Sequence, residues 1–196
     1  MQLSAIRTEV NRQVGLPLDP LLVTQLINAS LRRIADHRDW AWLDLVESGV
    51  WPDAEVHPLV AAAKSVKSVI VSDQRLDSIA EADADSYDGT WHYDGYSVTG
   101  RELRVVPRPA EGAAFTIRYI AYENTLTADA NEPLLPNAHI DAVVALACSM
   151  AHNRPEGNAG ARDRFRDEYT DTLRGMVRAA RPTRGARQAR TRQDTI

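Results

Sequence analysis

The 196 residues contain a single cysteine, Cys148. No disulfide can form within the chain, and a reducing cytoplasm is the expected place of synthesis. No stretch approaches the roughly 20 consecutive apolar residues of a membrane helix. The start, MQLSAIRTEV, is amphipathic and mildly charged and lacks the apolar centre of a signal peptide. No membrane partner is expected. The five histidines (37, 57, 92, 139 and 152) show no paired ligand spacing and no HExxH. Walker and dinucleotide glycine patterns are missing, and Gly95-Tyr96-Ser97-Val98-Thr99 departs from GxSxG at its last position. Asp83, Asp85 and Asp88 with Gly89 fall short of a calcium loop: the third acid and the glycine each stand one place late, and the closing Glu is missing. These absences predict a protein that is not an enzyme, with no catalytic residues, no metal site and no cofactor. Cys148, on the apolar face of its segment, is expected to act as a small buried hydrophobe and not as a nucleophile.

The apolar fraction of 44% suffices for a real core, and the length suits one domain or one domain with a sizeable insertion. The organising stretch is Asp19 to Trp42, DPLLVTQLINASLRRIADHRDWAW. Asp19 is a candidate N-cap with Pro20 in the first helical position. Val23, Leu26, Ile27, Leu31, Ile34 and Ala35 then recur on one helical face. A shorter face (Leu3, Ile6, Val10, Val14) precedes it and is stopped by Gly15-Leu16-Pro17. Beyond Trp42 the pattern turns β-like. Val66–Val71 is β-branched, a turn falls at Asp73-Gln74, and Arg75–Ile79 reads as the returning strand. Thr99-Gly100 reads as a second hairpin turn. Phe115, Ile117 and Tyr119 alternate with Thr116 and Arg118, the clearest period-two strand. Residues 80–90 are acidic and suit a short helix or loop. The segment Tyr87–Tyr96, YDGTWHYDGY, alternates aromatics with acids and leaves two readings open, packing within the β section or a partner surface.

The last third is helical again. Ile140, Val143, Val144, Ala147, Cys148 and Ala151 share one face; Phe165, Tyr169, Leu173, Met176 and Val177 share another, with Pro155, Gly157 and Gly160 between them. The predicted class is therefore α+β: a bundle of about four helices with an inserted antiparallel β-sheet and an extended C-terminal arm. The expected divisions are 1–42 and 136–177 for the bundle helices, 43–135 for the β insertion and 178–196 for the arm. The helices at positions 23–34 are expected to pack on Val143, Val144 and Ala147 and on Phe165, Tyr169 and Leu173.

The net charge of −4 hides an asymmetry. From Arg178 onward there are six arginines against one acid, net +5, leaving 17 basic and 26 acidic residues in the body, net −9. Arg178, Arg181, Arg184, Arg187 and Arg190 are spaced by three, and Arg192 follows. A polyproline II segment has three residues per turn and would align the five on one edge. With almost nothing apolar to bury, such a segment looks for a partner outside its own core.

Taken in order, these phrases resemble the head-to-tail adaptor (connector) proteins of tailed bacteriophages. The long helix running into Asp39-Trp40-Ala41-Trp42-Leu43, the hairpin SVKSVIVSDQRL, the element YSVTGRELRVVPRP, the strand FTIRYIAY and Leu134-Leu135-Pro136 before a helix carry the resemblance, over about residues 20–177. The Pro-, Gly- and Arg-rich tail lies outside it. The resemblance implies a structural virion protein of the neck, assembled in the host cytoplasm. It implies a homo-oligomeric ring, commonly a dodecamer, that joins the portal protein to a downstream tail or head-completion protein and lines the DNA exit channel. Genomic DNA would pass without sequence-specific binding, and an acidic body suits such a conduit. In that setting the six tail arginines are the candidate portal-docking residues. The alternative is a DNA-binding protein that acts through the same tail, since arginines also neutralise phosphates.

Overall fold

A computed structural model describes residues 1–85 and 95–180. The chain falls into two compact units, one of Met1–Ile34 together with the chain from Leu126 onward, the other of Ala35–Thr125. Each is taken by itself.

In the first unit, α1 (Leu3–Val14) buries Leu3, Ile6, Val10 and Val14 and ends on Gly15, whose φ of 66° lies in the left-handed region a helix C-cap uses. The helix α2 (Pro20–His37) starts as its sequence demands: the Asp19 carboxylate accepts from the backbone N–H groups of Leu21 (2.8 Å) and Leu22 (3.2 Å). Val23, Ile27, Leu31 and Ile34 are buried, as the apolar stripe predicts. Leu26 is only half-buried, and the polar Asn28 and Ser30 are buried in its stead. The Ser30 hydroxyl returns its proton to the Leu26 carbonyl at 2.8 Å, which satisfies it inside the helix.

A 3-10 turn, Asn137–His139, leads into α4 (Ile140–His152). Eleven of the 13 residues of α4 are buried, all but Asp141 and Met150. Such a helix is central and not merely amphipathic. Its small residues, among them Ala145, Ala147, Cys148 and Ala151, let α1 and α5 (Ala159–Ala179) pack against it. Asn158 caps α5 by accepting from Ala161 N–H at 3.0 Å. The α4–α5 turn depends on Gly157, because a Cβ there would stand 2.1 Å from the His152 carbonyl oxygen. Of the predicted α5 stripe, Phe165 and Met176 are buried while Tyr169, Leu173 and Val177 stay half-buried.

The second unit opens with the end of α2 and a 3-10 turn, Ala41–Leu43, that places Trp40 and Trp42 in a stack with ring centroids 4.5 Å apart. Seven strands follow: β1 (Asp44–Val50), β2 (Val56–Pro58), β3 (Ala63–Val71), β4 (Gln74–Ser78), β5 (Gly95–Thr99), β6 (Glu102–Val106) and β7 (Ala114–Ala121). They form one sheet in the order β1-β7-β3-β4-β5-β6-β2. The β3–β4 hairpin turns through Ser72 and Asp73, both at positive φ (48° and 66°), the pair of values a two-residue hairpin needs. In β7 the predicted alternation is present, with Phe115, Ile117 and Tyr119 buried and Arg118 exposed. The sheet curls, so that the His57 ring of edge strand β2 lies 4.4 Å from the Phe115 ring of β7, centroid to centroid, beside the buried Trp51.

Two expectations are corrected. The sheet is mixed, not antiparallel: β4 and β5 run parallel, Asp77 opposite Gly95 and Ser78 opposite Tyr96. A parallel pair needs a crossover of a dozen or more residues, and the chain between Ser78 and Gly95 supplies it, starting with the short helix α3 (Glu81–Asp85). That helix is also the reason why the described residues hold five α-helices and not about four.

Candidate functional site

The sequence nominates the six tail arginines. Arg178 is placed: it is exposed in the last turn of α5, where a cation complements the negative end of the helix. The helix continues past it to Ala179, and the Ala180 N–H closes it on the Met176 carbonyl at 3.0 Å. Backbone at Arg178 is thus helical and not extended, because Met176 is still buried on the apolar side of that turn. Arg181, Arg184, Arg187, Arg190 and Arg192 lie outside the described residues.

Among the described residues, no three His, Cys, Asp or Glu side chains lie close enough to share a metal ion. Nor is any described helix long and apolar enough to cross a membrane. Cys148 is fully buried at the contact of α1 with α4, its thiol facing the Val10 carbonyl at 3.9 Å, and burial pushes its pKa up to about 12. A thiol so held is not a nucleophile. His152 is also spoken for. Its ring stacks on Phe165 (5.8 Å, 7°), and its Nδ1 accepts from Asn158 N–H at 3.3 Å.

The strongest polar arrangements of the second unit brace the sheet. Asp44 on β1 accepts from Arg118 on β7 (2.9 and 2.7 Å) and from Lys67 on β3 (2.8 Å). These bonds, Arg118's first, hold its carboxyl well below the usual carboxylate range. Tyr119 is buried; its hydroxyl donates to Glu47 and accepts from Ala61 N–H at 3.3 Å, and its pKa is pushed up to about 12, chiefly by burial. The two clusters fix the order of three adjacent strands.

The first unit does contain an open site that the sequence reading missed. A groove of about 560 Å³ runs along α2, α4 and α5. Leu146 and Ser149 of α4 are buried at its base, and the half-buried Met150 and Tyr169 extend it. Three cations line it: Arg33 from α2, and Arg162 and Arg166 from α5. Arg162 is shared with its neighbour Asp163 at 2.8 Å. Arg33 and Arg166 are exposed, and among the described residues neither has a carboxylate within ion-pair distance. In sequence, Arg162, Arg166 and Tyr169 stand at i, i+4 and i+7, a signal that shows one helical face but not that the face looks into a groove.

Charge is also divided by unit. Residues 35–125 carry 16 acids and 8 bases, net −8, the rest of the body up to residue 177 carries 10 acids and 9 bases, net −1, and the positive charge of the chain is that of residues 178–196, net +5. No curated protein matches the sequence at a significant level. The sequence model of one family, described as SU10 adaptor protein, matches residues 1–193, which takes in nearly all of the basic tail as well as both units. With essentially the whole chain matched, the protein belongs to this family of phage head-to-tail adaptors.

Proposed function

We propose that the protein is one subunit of a ring that joins the portal to the tail in the virion neck and lines the channel through which DNA leaves. The observation that carries this reading is the family match over residues 1–193. A structural adaptor role in virion assembly follows from it, and non-catalytic work with it. The ring, commonly a dodecamer in the proteins the chain resembles, rests on the same family match; a closed ring needs a heterologous interface, two different patches of the same subunit. The net −8 of residues 35–125 suits a wall past which DNA slides without sticking.

The tail arginines, Arg178, Arg181, Arg184, Arg187, Arg190 and Arg192, serve in this reading as an arm that docks on portal. Arg178 presents from the end of α5 and the rest follow it. Planar guanidinium groups make bidentate bonds to carboxylates, and each exposed pair adds only about 0.2–1 kcal/mol, so attachment needs several.

The test mixes purified protein with portal complex and measures mass and shape by mass photometry and negative-stain imaging. Rings on portal are expected. A protein that stays monomeric with portal present overturns the reading. Removing residues 181–196, which leaves the Ala180 cap of α5 in place, separates the two uses of the tail. Loss of docking with the body still folded supports the arm. Normal docking with lost, salt-sensitive DNA affinity supports the alternative of a DNA-binding tail.

A further inference from the structure

We propose that the free edge of β1 pairs with the same edge of a second copy of this chain, antiparallel, about a two-fold axis through Ser48. The proposal goes beyond the ring reading and does not depend on it. Ring closure is head-to-tail, and this contact is two-fold.

The sheet order leaves β1 and β2 as the two edge strands. An edge presents a row of N–H and C=O groups to any passing strand, and proteins blunt such rows with proline, lysine, bulges or brevity. Strand β2 is blunted, being three residues long and ending in Pro58. Strand β1 carries none of these devices. It runs for seven residues, DLVESGV, and its register with β7 is unbroken from Asp44 opposite Ile120 to Val50 opposite Ala114. Its two acids are engaged within their own unit. Asp44 is bonded to Arg118 and Lys67, and Glu47 to the Tyr119 hydroxyl and the Val60 N–H.

Parity decides which backbone groups are free. The Trp51 N–H donates to the Ala113 carbonyl at 2.8 Å, while the Ala114 carbonyl turns the other way and accepts from Ser72 at the end of β3. An antiparallel ladder alternates, so the odd positions of β1 bond to β7, and the N–H and C=O groups of Val46, Ser48 and Val50 point off the sheet. Among the described residues nothing meets them. The side chains at these three positions are exposed as well, Val46 to 60% and Val50 to 65%.

The outward positions read the same in both directions: Val46, Ser48, Val50. Antiparallel pairing centred on Ser48 sets Val46 against Val50 of the second copy, Ser48 against Ser48 and Glu47 against Gly49. Every outward N–H and C=O finds a partner, and valine meets valine on one face. Neighbouring registers are worse. Centring on Glu47 sets two carboxylates directly opposite each other, and centring on Gly49 sets Val46 against Pro52, which has no N–H to give. The net −8 of residues 35–125 opposes the approach of two copies. A contact made of backbone bonds and valines against that repulsion should strengthen as salt screens it.

The test is disulfide trapping in the full-length chain. Opposite residues of a hydrogen-bonded antiparallel pair have Cα atoms about 5.5 Å apart, inside the roughly 4.4–6.8 Å that a disulfide spans. Ser48→Cys is therefore expected to give a covalent dimer under mild oxidation, reversed by reductant. Chains carrying Val46→Cys alone or Val50→Cys alone should link poorly, and an equal mixture of the two at least about fivefold better, because only the mixture places cysteines opposite each other. Free thiols are alkylated before denaturation, and the parent, whose Cys148 is buried, is the blank. In sedimentation velocity the parent should form a dimer that grows with concentration and with salt, and the double change Val46→Lys and Val50→Lys should abolish it. Both positions are exposed, so this variant is expected to melt like the parent, and a melt is run to check it. The proposal is overturned if Ser48→Cys does not link, if the single-cysteine chains link as well as their mixture, if the lysines leave the dimer intact, or if salt dissolves it. Assembly on portal is measured separately with the unmodified chain. Assembly without the cross-link removes the β1 contact and leaves the ring reading standing; the cross-link without assembly does the reverse.

Discussion

Asn28 offers the most exacting test of the folded state. It lies on α2 among apolar neighbours and is 7% exposed. Its side-chain amide donates to the Leu126 carbonyl at 2.9 Å and accepts from the Leu126 N–H at 2.9 Å. That is the pair of bonds a neighbouring strand would provide, made by one side chain to a residue 98 positions away. Leu126 is 1% exposed, so its backbone groups have no water to turn to. Replacing Asn28 by Leu keeps the branched shape and removes both bonds. An unsatisfied buried polar group costs about 1–3 kcal/mol, and two of them, with partial relaxation, give an expected loss of about 2–4 kcal/mol. Asn28→Asp separates hydrogen bonding from shape. It keeps the acceptor for the Leu126 N–H but sets a carboxylate against the Leu126 carbonyl. A buried carboxylate has a raised pKa, so this variant should regain stability relative to the parent as pH falls and the group becomes a donor again. The assay is urea unfolding with a shared m-value, together with hydrogen exchange at the Leu126 amide. If Asn28→Leu unfolds within about 0.5 kcal/mol of the parent and the Leu126 amide stays protected, the reasoning fails.

Three other outcomes are expected. Gly157→Ala should lower the melting temperature sharply, because its Cβ would meet His152 backbone at 2.1 and 2.5 Å and backbone cannot step aside; an unchanged melt contradicts this. Asp44→Asn should alter the acid side of the stability profile. The folded pKa of Asp44 is depressed, so its contribution is present above the ordinary aspartate pKa of about 4 and is lost as pH falls below it. The gap between parent and variant should therefore be widest near neutrality and close below about pH 4, and a gap that is flat with pH would refute the assignment. Cys148 should resist a thiol reagent in the folded protein and react only on denaturation, and rapid labelling under folding conditions would show that α1 and α4 are not packed as described.

What could be read in advance divides by the range of the interaction that decides it. The start of α2, the β3–β4 turn and the alternation in β7 are decided within a few residues, and each was legible: a capping carboxylate, a short polar turn read at Asp73-Gln74 and found one residue earlier at Ser72-Asp73, a period of two. Features settled by distant partners were not. Nothing near Asn28 in sequence separates a polar interruption of an apolar stripe from a buried amide waiting for Leu126. The six apolar residues of α4 that share a face were visible, but burial of the other faces depends on how many helices surround it. The acidic chain between Ser78 and Gly95 looked like a loop or a short helix, and only the pairing of Asp77 with Gly95 turns it into a crossover and the sheet into a mixed one.

The same distinction bears on the functional residues. The tail arginines drew attention because their spacing by three stands out without any structure, yet only Arg178 is placed, and it is helical. Arg33 and Arg166 drew none, because an arginine on the polar side of an amphipathic helix is the commonest way to meet solvent. They gain meaning when helices from opposite ends of the chain bring residues 133 positions apart to one groove. If the arm and the β1 edge both work at interfaces, they should respond to different perturbations. Truncation after Ala180 removes the arm and leaves the edge. Lysines at positions 46 and 50 blunt the edge and leave the arm. Portal docking that is lost only in the first case, and contact between copies that is lost only in the second, would assign one interface to each.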